Sequence, residues 1–434
     1  MMYLISEERL KQFADLMRSK TGETEECSLE DIKNKLEAVR TENDFLKFYG
    51  CYELFKKLGD SLTEVPQIDT RSITNMSKMF SDCSSLTTIP QLDTSSVTDM
   101  NYMFSGCRSL TTIPKLDTSS VTDMTRMFSG CSSLTTIPQL DTSSVTDMNS
   151  MLYGCQYLET VPQLDTSSAT DMSSMFASCL SLTSIPQLDT SSVTEIYNMF
   201  YNCSSLTTIP KLDTSHVTEM NGMLYGCRSL TTIPQLDTSS VTSMKNMFSG
   251  CSSLTTIPQL DTSHVTDMNS MFSGCSSLTT IPQLDTSSVT DMSNMFSGCS
   301  SLTTVPQLNV RFSYKLNGMF SKCTNLTNLY LKNINGSLVI GSGTSYGHLL
   351  TVDSLLHIIK ELVKSNIHKA LTMGSANTAK LSNTYVKLID ITDEMRAEDD
   401  SIDDKFPFEV CESTEEGALA VLTDYVALKN WSIK

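Results

Sequence analysis

Eleven of the fourteen cysteines recur at a constant spacing of 24 residues, and a regular series of thiols could form disulfides, bind a metal or act as nucleophiles. Stacked neighbours would lie within the Cα separation that permits a disulfide, but eleven is odd and bridges would compete with a regular backbone ladder. A column of thiols beside methionines, without paired histidines, is not the pattern of a metal site. We therefore expect buried free thiols, with disulfides as the alternative. The residues are Cys83, Cys107, Cys131, Cys155, Cys179, Cys203, Cys227, Cys251, Cys275, Cys299 and Cys323.

Ten aspartates follow the same period, and Asn309 takes their place in the last repeat. The simplest role for such a carboxylate is to accept backbone N–H groups at a turn. A calcium ion between stacked carboxylates is the alternative, although the Gly-Gly-x-Gly-x-Asp pattern of calcium-binding solenoids is missing. The residues are Asp69, Asp93, Asp117, Asp141, Asp165, Asp189, Asp213, Asp237, Asp261 and Asp285.

The polar residues form columns of one residue type, whereas an enzyme needs unlike groups that converge in one pocket. The five histidines are scattered, and none has the spacing of a catalytic triad or a metal site. We therefore predict a protein that is not an enzyme, with no catalytic residue, cofactor or metal ligand.

The positions at which the repeats differ from one another are better candidates for binding. Tyrosines and arginines replace small polar residues there, and exposed Tyr and Arg side chains are typical of protein and carbohydrate recognition. The alternative is compensation, because Leu152 and Leu224 replace the usual phenylalanine beside two of the tyrosines. The predicted partner-binding residues are Tyr102, Arg108, Arg126, Tyr153, Tyr157, Tyr197, Tyr201, Tyr225 and Arg228.

These residues are positioned by a unit such as CSSLTTIPQLDTSSVTDMNYMFSG, from Cys83 to Gly106. The segment from Leu110 to Leu116 predicts a short parallel strand that Pro114 limits to about three residues. The segment from Ser119 to Gly130 has apolar residues at helical spacing and a capping-box pattern, which predicts a short helix. A period of 20 to 29 residues is typical of a leucine-rich-repeat-like solenoid. The predicted fold is thus an α/β repeat solenoid with helical N-terminal and mixed C-terminal caps.

The two ends of the chain depart from the period. We predict an N-terminal helical attachment module at 1–40, an N-terminal cap at 41–59, a solenoid of about 11 repeats at 60–328, and a C-terminal cap at 329–434. A solenoid needs such caps because its terminal rungs would otherwise expose the core.

The C-terminal cap has four recognisable parts. An amphipathic helix is predicted from Thr351, a strand from Lys369, an exposed acidic loop at 393–404 and a last helix at 417–429.

The charge balance excludes several functions. With 31 basic and 49 acidic side chains, the formal charge of -18 disfavours nucleic acid and anionic lipid as partners. No apolar run reaches the roughly 18 residues of a membrane span, and the first residues lack an apolar signal core. We therefore expect a chain that is made in the cytoplasm and is not exported by a standard signal.

The repeated phrase VTDMxxMFxGCxSLTTIPxLDTS resembles the BspA-like leucine-rich-repeat proteins over residues 60–328. The segment from Ile5 to Val39 is similar to the N-termini of phage tail and baseplate-associated proteins. The stretches LTVDSLLHIIKELV, KALTMGSANTAKL and LKNWSIK look like the C-terminal ends found in prophage-borne copies.

Two functions follow from this resemblance. The first is a phage or prophage tail-associated protein of the virion, attached to tail or baseplate proteins through residues 1–40 and binding a host-surface glycan or protein through the solenoid. The alternative is a BspA-like adhesin on the bacterial cell surface.

Overall fold

The fold was analysed in a computed structural model that describes residues 55, 60, 62–65, 70–334, 350–351, 354–355 and 357–358, together with the backbone of five further strands. The chain divides into two compact units, Met1–Ser204 and Ser205–Lys434, which are described separately.

In the first unit, consecutive repeats are joined by single parallel β-bridges instead of continuous strands. The bridges link equivalent positions 24 residues apart, and the described residues of this unit contain no regular strand. The bridged pairs are Glu64 with Thr88, Asn75 with Asp99, Asp99 with Asp123, Asp123 with Asp147, Asp147 with Asp171, and Asp171 with Glu195.

Between Met100 and Cys107, and at the equivalent residues of the other repeats, the chain forms a series of turns that we call the turn-rich segment. Alternate amides in it donate to carbonyls of the next repeat, and the amides between them close turns onto the residue three positions earlier. The bonds to the next repeat run from Met100 N to Asp123 O (3.4 Å), Tyr102 N to Thr125 O (2.8 Å), Phe104 N to Met127 O (2.9 Å) and Gly106 N to Ser129 O (2.7 Å).

The predicted helix from Ser119 to Gly130 is therefore wrong. Arg126 and Gly130 both have positive φ, 54° and 75°, and a left-handed residue inside the segment stops a right-handed helix. Asp123 accepts the amide of Thr125 in a local turn instead of completing a capping box. The apolar spacing misled because consecutive turns of three to four residues also return side chains to one face.

The strand prediction is only partly right. In most repeats the bridging residue lies in the half that was predicted as a helix. Among the described repeats, a regular strand appears in the predicted half only where β1, Thr304–Asn309, pairs in parallel with β2, Asn328–Lys332, in the second unit. Adjacent residues of a regular strand point to opposite faces, so one of two neighbours is usually buried. Thr111 and Thr112 are both exposed, which agrees with the lack of a regular strand here.

The core consists of apolar columns that run from repeat to repeat. Phe104, Cys107 and Leu110, for example, have no exposed surface. Phenylalanine rings of adjacent repeats stack, with ring centroids of Phe104 and Phe128 5.7 Å apart and their planes 4° apart. The 24-residue solenoid is thus confirmed as a repeating set of buried columns.

On the other side of each repeat, a buried threonine and an exposed glutamine form hydrogen bonds to the backbone of the next repeat. Thr118 donates to the carbonyl of Asp141 and accepts its amide, both at 2.8 Å. Gln139 Nε2 donates to the carbonyl of Gln163 at 2.6 Å. These contacts satisfy backbone groups that a continuous sheet would otherwise pair.

The second unit repeats this construction and adds short strands near the C-terminus. Parallel bridges join Glu219 with Ser243, Ser243 with Asp267, Asp267 with Asp291, Thr280 with Thr304, and Asp291 with Lys315. Beyond β1 and β2, strands β3, Leu338–Ile340, β4, Lys369–Met373, and β7, Trp431–Ile433, form a parallel sheet in the order β3-β4-β7. Strands β5, Val386–Leu388, and β6, Phe408–Val410, pair antiparallel.

Parts of the predicted caps lie outside the described residues. These parts are the module at 1–40, the acidic loop at 393–404, the helix at 417–429 and, except for Phe55 in a helical turn, nearly all of the cap at 41–59. Residues 354–355 and 357–358 are helical, and β4 begins at Lys369. The domain boundaries stay a prediction. No helix in the described residues is long and apolar enough to cross a membrane.

Candidate functional site

The cysteines of the column are buried free thiols, which confirms the first prediction. Most of these thiols lie close to a phenylalanine carbonyl of the preceding repeat, as in the 3.0 Å contact from Cys107 Sγ to Phe80 O, whereas Cys179 and Cys251 contact the carbonyls of Leu152 and Leu224. Burial removes water from the thiolate and raises the pKa of Cys155 and of Cys203 to about 12. These thiols are therefore held in the unreactive, protonated form and contribute packing instead of chemistry.

The aspartate column caps turns, as expected for its simplest role. Asp165 Oδ1 accepts the amide of Ser167 at 3.1 Å and its hydroxyl at 2.6 Å. The side-chain and backbone hydrogen bonds from Ser167 lower the pKa of Asp165 below its ordinary value, since they favour the charged form. Asn309 does the same with its amide oxygen, which accepts the amide of Arg311 at 3.1 Å.

No group of three or more histidine, cysteine, aspartate or glutamate side chains in the described residues is arranged to hold a metal ion. His216 and His264 are exposed next to the capped turns, where their Nδ1 atoms lie 3.2 Å from the hydroxyls of Ser215 and Ser263.

The nine residues predicted to bind a partner all lie on the turn-rich side of their repeats, either in the turn-rich segment or in the two residues after its cysteine. Seven belong to the first unit, whereas Tyr225 and Arg228 belong to the second. Tyr201 and Tyr225 are half-buried, and Arg228 is exposed. The structure places six of the seven residues of the first unit in two groups, and the half-buried Tyr201 belongs to neither.

The first group is a column of residues with positive φ at the start of the first unit. Arg126 lies 5.4 Å from the ring centroid of Tyr102, and Lys78 lies 5.6 Å from the same ring. Such cation–π contacts contribute about 0.5–1 kcal/mol at exposed sites. Arg108 is exposed on the same side of its repeat. We call Lys78, Tyr102, Arg126 and Arg108 the basic group.

The second group lies in the last three repeats of the first unit. Tyr153, Tyr157 and Tyr197 have 46%, 62% and 39% of their surface exposed, and Leu180 has 37%. The amide of Ser181 donates to the carbonyl of Gln156, which brings the backbones next to Leu180 and Tyr157 within one hydrogen bond of each other. We call Tyr153, Tyr157, Leu180 and Tyr197 the neutral aromatic cluster.

The sequence analysis missed Leu180 because it considered only tyrosine and arginine. The signal was available, because the equivalent positions in other repeats carry polar residues, among them Ser132 and Ser204.

Compensation for a missing phenylalanine does not explain Tyr153. Leu152 is fully buried in the column, but almost half of the Tyr153 surface faces solvent. A side chain that replaced lost core volume would be buried. Because Tyr153 is exposed, it stays a candidate partner-binding residue.

The second unit contains a further exposed aromatic pair that the sequence analysis also missed. Phe312 and Tyr314 are 47% and 70% exposed, and the guanidinium of Arg311 lies 5.6 Å from the Phe312 ring centroid. They occupy positions that carry serine and threonine in most repeats, such as Ser288 and Thr290.

A family described as "Mycoplasma protein of unknown function, DUF285" matches residues 50–159, 133–234 and 226–334, which together span well over half of the chain. The chain belongs to the DUF285 family. The matched residues include the described repeats of both units and all nine predicted partner-binding residues. No curated protein shows a significant match to this DUF285 chain.

Solved structures that align with the DUF285 chain include three bacterial leucine-rich-repeat proteins. A leucine rich cell surface protein from Faecalibacterium prausnitzii is 24% identical, with 64% of this chain and 78% of that chain covered and a TM-score of 0.37. A leucine-rich repeat protein from Bacteroides ovatus is 21% identical, with 63% and 82% covered and a TM-score of 0.36. One from Eubacterium ventriosum is 18% identical, with 64% and 82% covered and a TM-score of 0.36.

These TM-scores are low, so the solenoid assignment rests on the chain's own repeat geometry. The predicted similarity of the terminal segments to phage tail proteins has no counterpart among these structures and stays a prediction.

The burial of the cysteine column predicts its reactivity. In the native DUF285 chain, a thiol reagent such as Ellman's reagent should label at most the three cysteines outside the column, Cys27, Cys51 and Cys411. All fourteen should react after unfolding in guanidinium, because unfolding exposes the thiols and lowers their pKa. Rapid native labelling of more than three thiols would contradict the buried column.

The capped turns predict how stability depends on pH. Because the folded-state pKa values of Asp117 and Asp165 lie below their ordinary value of 3.8, the stabilisation is present above that pH and is lost as the pH falls below it. The double variant Asp117→Asn with Asp165→Asn should keep the turns, as Asn309 does. The Tm of the wild type should exceed that of the variant at pH 7, and the difference should vanish at about pH 2. A difference that stays constant over this range would show that the carboxylate charge is irrelevant.

The exposed cluster predicts which substitutions leave the fold intact. Tyr153→Ser, Tyr157→Ser, Leu180→Ser and Tyr197→Asn install residues that other repeats carry at the same positions, so each should change the free energy of unfolding by less than about 0.5 kcal/mol. Phe104→Ala removes a stacked core ring and should cost about 3–5 kcal/mol. Chemical denaturation followed by circular dichroism measures both. A large loss in the serine variants would mean that these side chains support the core.

Proposed function

We propose that this DUF285 chain is a non-enzymatic binding protein of the bacterial cell surface, an adhesin, whose turn-rich face contacts a glycan or protein. The observation that carries the proposal is the neutral aromatic cluster. All four large apolar side chains that are exposed in the described part of the first unit lie on this one face, within three consecutive repeats.

The backbone of this face suits a binding surface because it does not depend on the side chains it displays. The amides from Met100 to Cys107 donate to the next repeat or to their own turn, apart from that of Asn101, which donates to the Asp99 carboxylate. The same geometry accepts Ser105, Tyr153 and Tyr201 at one equivalent position. Surface residues can therefore change without a change in the fold, as in other solenoids that bind through their exposed faces.

The chemistry of the described residues supports a binding role over catalysis. The thiols are buried and protonated, and the carboxylates of the column are used in turns. A groove of about 510 Å³ beside Gln163 and Asp165 is lined by the same Gln, Leu, Asp and Thr positions of successive repeats instead of a convergent set of catalytic groups.

The tail-protein hypothesis rests on the terminal segments, in particular residues 1–40, which lie outside the described residues. The adhesin hypothesis rests on the repeats, which the structure describes. We therefore favour the cell surface as the location and keep attachment to phage tail or baseplate proteins as a prediction for the N-terminal module.

Deletion of the gene in the producing bacterium tests the proposal. We expect the protein to be degraded by protease added to intact cells, and the deletion strain to adhere less to host-derived surfaces. Wild-type complementation should restore adhesion, whereas the quadruple variant Tyr153→Ser, Tyr157→Ser, Leu180→Ser, Tyr197→Asn should not.

The control is Phe312→Ser with Tyr314→Thr, which removes two exposed aromatic residues from the second unit and should restore adhesion fully. Recovery of the protein only in gradient-purified phage particles, with none on the cell surface, would overturn the adhesin hypothesis in favour of the tail protein.

A further inference from the structure

The neutral aromatic cluster differs in charge from the rest of the turn-rich face of the first unit. The segments 149–157, 172–182 and 196–204 contain no charged side chain, in a chain of which 18% is charged. The equivalent segments of the first three repeats carry Lys78, Asp82, Arg108 and Arg126. An anionic ligand would therefore find no basic partner in these segments, and the carboxylates that flank them, among them Asp171 and the exposed Glu195, would repel it.

Uncharged hydrogen-bonding groups surround the exposed rings. Gln156 is exposed, and Asn149, Ser174 and Asn198 are half-buried in the same segments. Tyrosine adds a hydroxyl to an apolar ring, so the cluster offers flat apolar surfaces beside amides and hydroxyls. This combination fits a sugar, which has an apolar C–H face and a rim of hydroxyls that both donate and accept hydrogen bonds.

The repeat also supplies a regular spacing. Tyr153, Tyr157 and Tyr197 belong to three consecutive repeats, at different positions within each, and the equivalent core rings of Phe176 and Phe200 in neighbouring repeats have their centroids 5.7 Å apart. This distance is comparable to the length of one hexose unit in an extended polysaccharide. Successive sugars could therefore contact successive repeats, which raises the affinity of a chain above that of a single sugar.

We infer that the neutral aromatic cluster binds an uncharged polysaccharide along the repeat direction, with sugar rings stacked on Tyr153, Tyr157 and Tyr197. This inference rests on the proposed function and names the class of ligand for the same face. The lack of basic side chains disfavours an acidic glycan, a nucleic acid or an acidic peptide as the occupant of this cluster.

The test measures binding of the full-length protein to immobilised uncharged polysaccharides (mannan, dextran, galactan and a β-glucan), with heparin and polygalacturonate as charged comparisons. We expect at least one uncharged polysaccharide to bind, with an affinity that does not change between low and high salt, because screening acts only on charges. Tyr157→Ser with Tyr197→Asn should weaken binding at least about tenfold, which corresponds to about 1.4 kcal/mol.

The matched control is Phe312→Ser with Tyr314→Thr, which should bind as the wild type does. Three results would overturn the inference. They are binding to the charged polysaccharides alone, binding by the Tyr157→Ser, Tyr197→Asn variant as tight as that of the wild type, and no binding to any uncharged polysaccharide. If the wild type still promotes adhesion of cells in that last case, the proposed function stands and the ligand is a protein. If the wild type does not promote adhesion either, the proposed function and the inference about its ligand are both wrong.

Discussion

The structure depends on hydrogen bonds between the backbones of neighbouring repeats. In the turn-rich segment, an amide that donates to the next repeat alternates with one that closes a turn in its own repeat, as Phe104 N and Ser105 N do. The segment therefore satisfies its polar backbone without a helix or a continuous strand. Because each repeat is held by its neighbours, the repeats must keep the same length, and the 24-residue period follows.

The period then determines which side chains meet. Equivalent residues stack in columns, so an apolar position becomes an apolar column, as for Phe104 and Phe128. Left-handed positions become columns as well, and glycine is favoured where φ is strongly positive, as at Gly106 and Gly130 with φ of 77° and 75°. Polar columns are satisfied locally, as Asp165 shows with Ser167. The described repeats thus use most of their regular side chains for structure, and binding chemistry is confined to the departures from the pattern.

The sequence predicted the period, the buried thiols and the capping role of the aspartates, because each follows from the repetition of one residue type at one position. It did not predict how the turn-rich segment folds. Apolar residues such as Val121, Met124 and Met127 fit a helix as well as a series of turns, and the two differ in the positive φ of Arg126 and in the amides that donate to the next repeat. No local residue preference predicts a left-handed arginine, since that conformation is imposed by the bonds to neighbouring repeats.

The candidate site was predictable in part, because residues that depart from a regular repeat can be recognised in the sequence. Departures from the repeat identified Tyr153, Tyr157 and Tyr197, which are exposed. The sequence could not show that Tyr201 and Tyr225 are half-buried, because exposure depends on packing against adjacent repeats. Leu180 and Phe312 were missed because the search favoured tyrosine and arginine, and Tyr314 was missed because it lies outside the turn-rich segment on which the search concentrated. Their exposure is visible only in the folded chain.

Amide hydrogen exchange of the native full-length chain, followed by mass spectrometry, tests the hydrogen-bonded turns most directly. Peptides that cover 101–109 and 149–157 can be told apart because their sequences differ. The inter-repeat bonds predict that both exchange slowly, through the global unfolding of the repeats, although they contain exposed residues such as Tyr153. Exchange of these peptides at the rate of an unstructured chain would contradict the hydrogen bonds between repeats and the rigid binding face that depends on them.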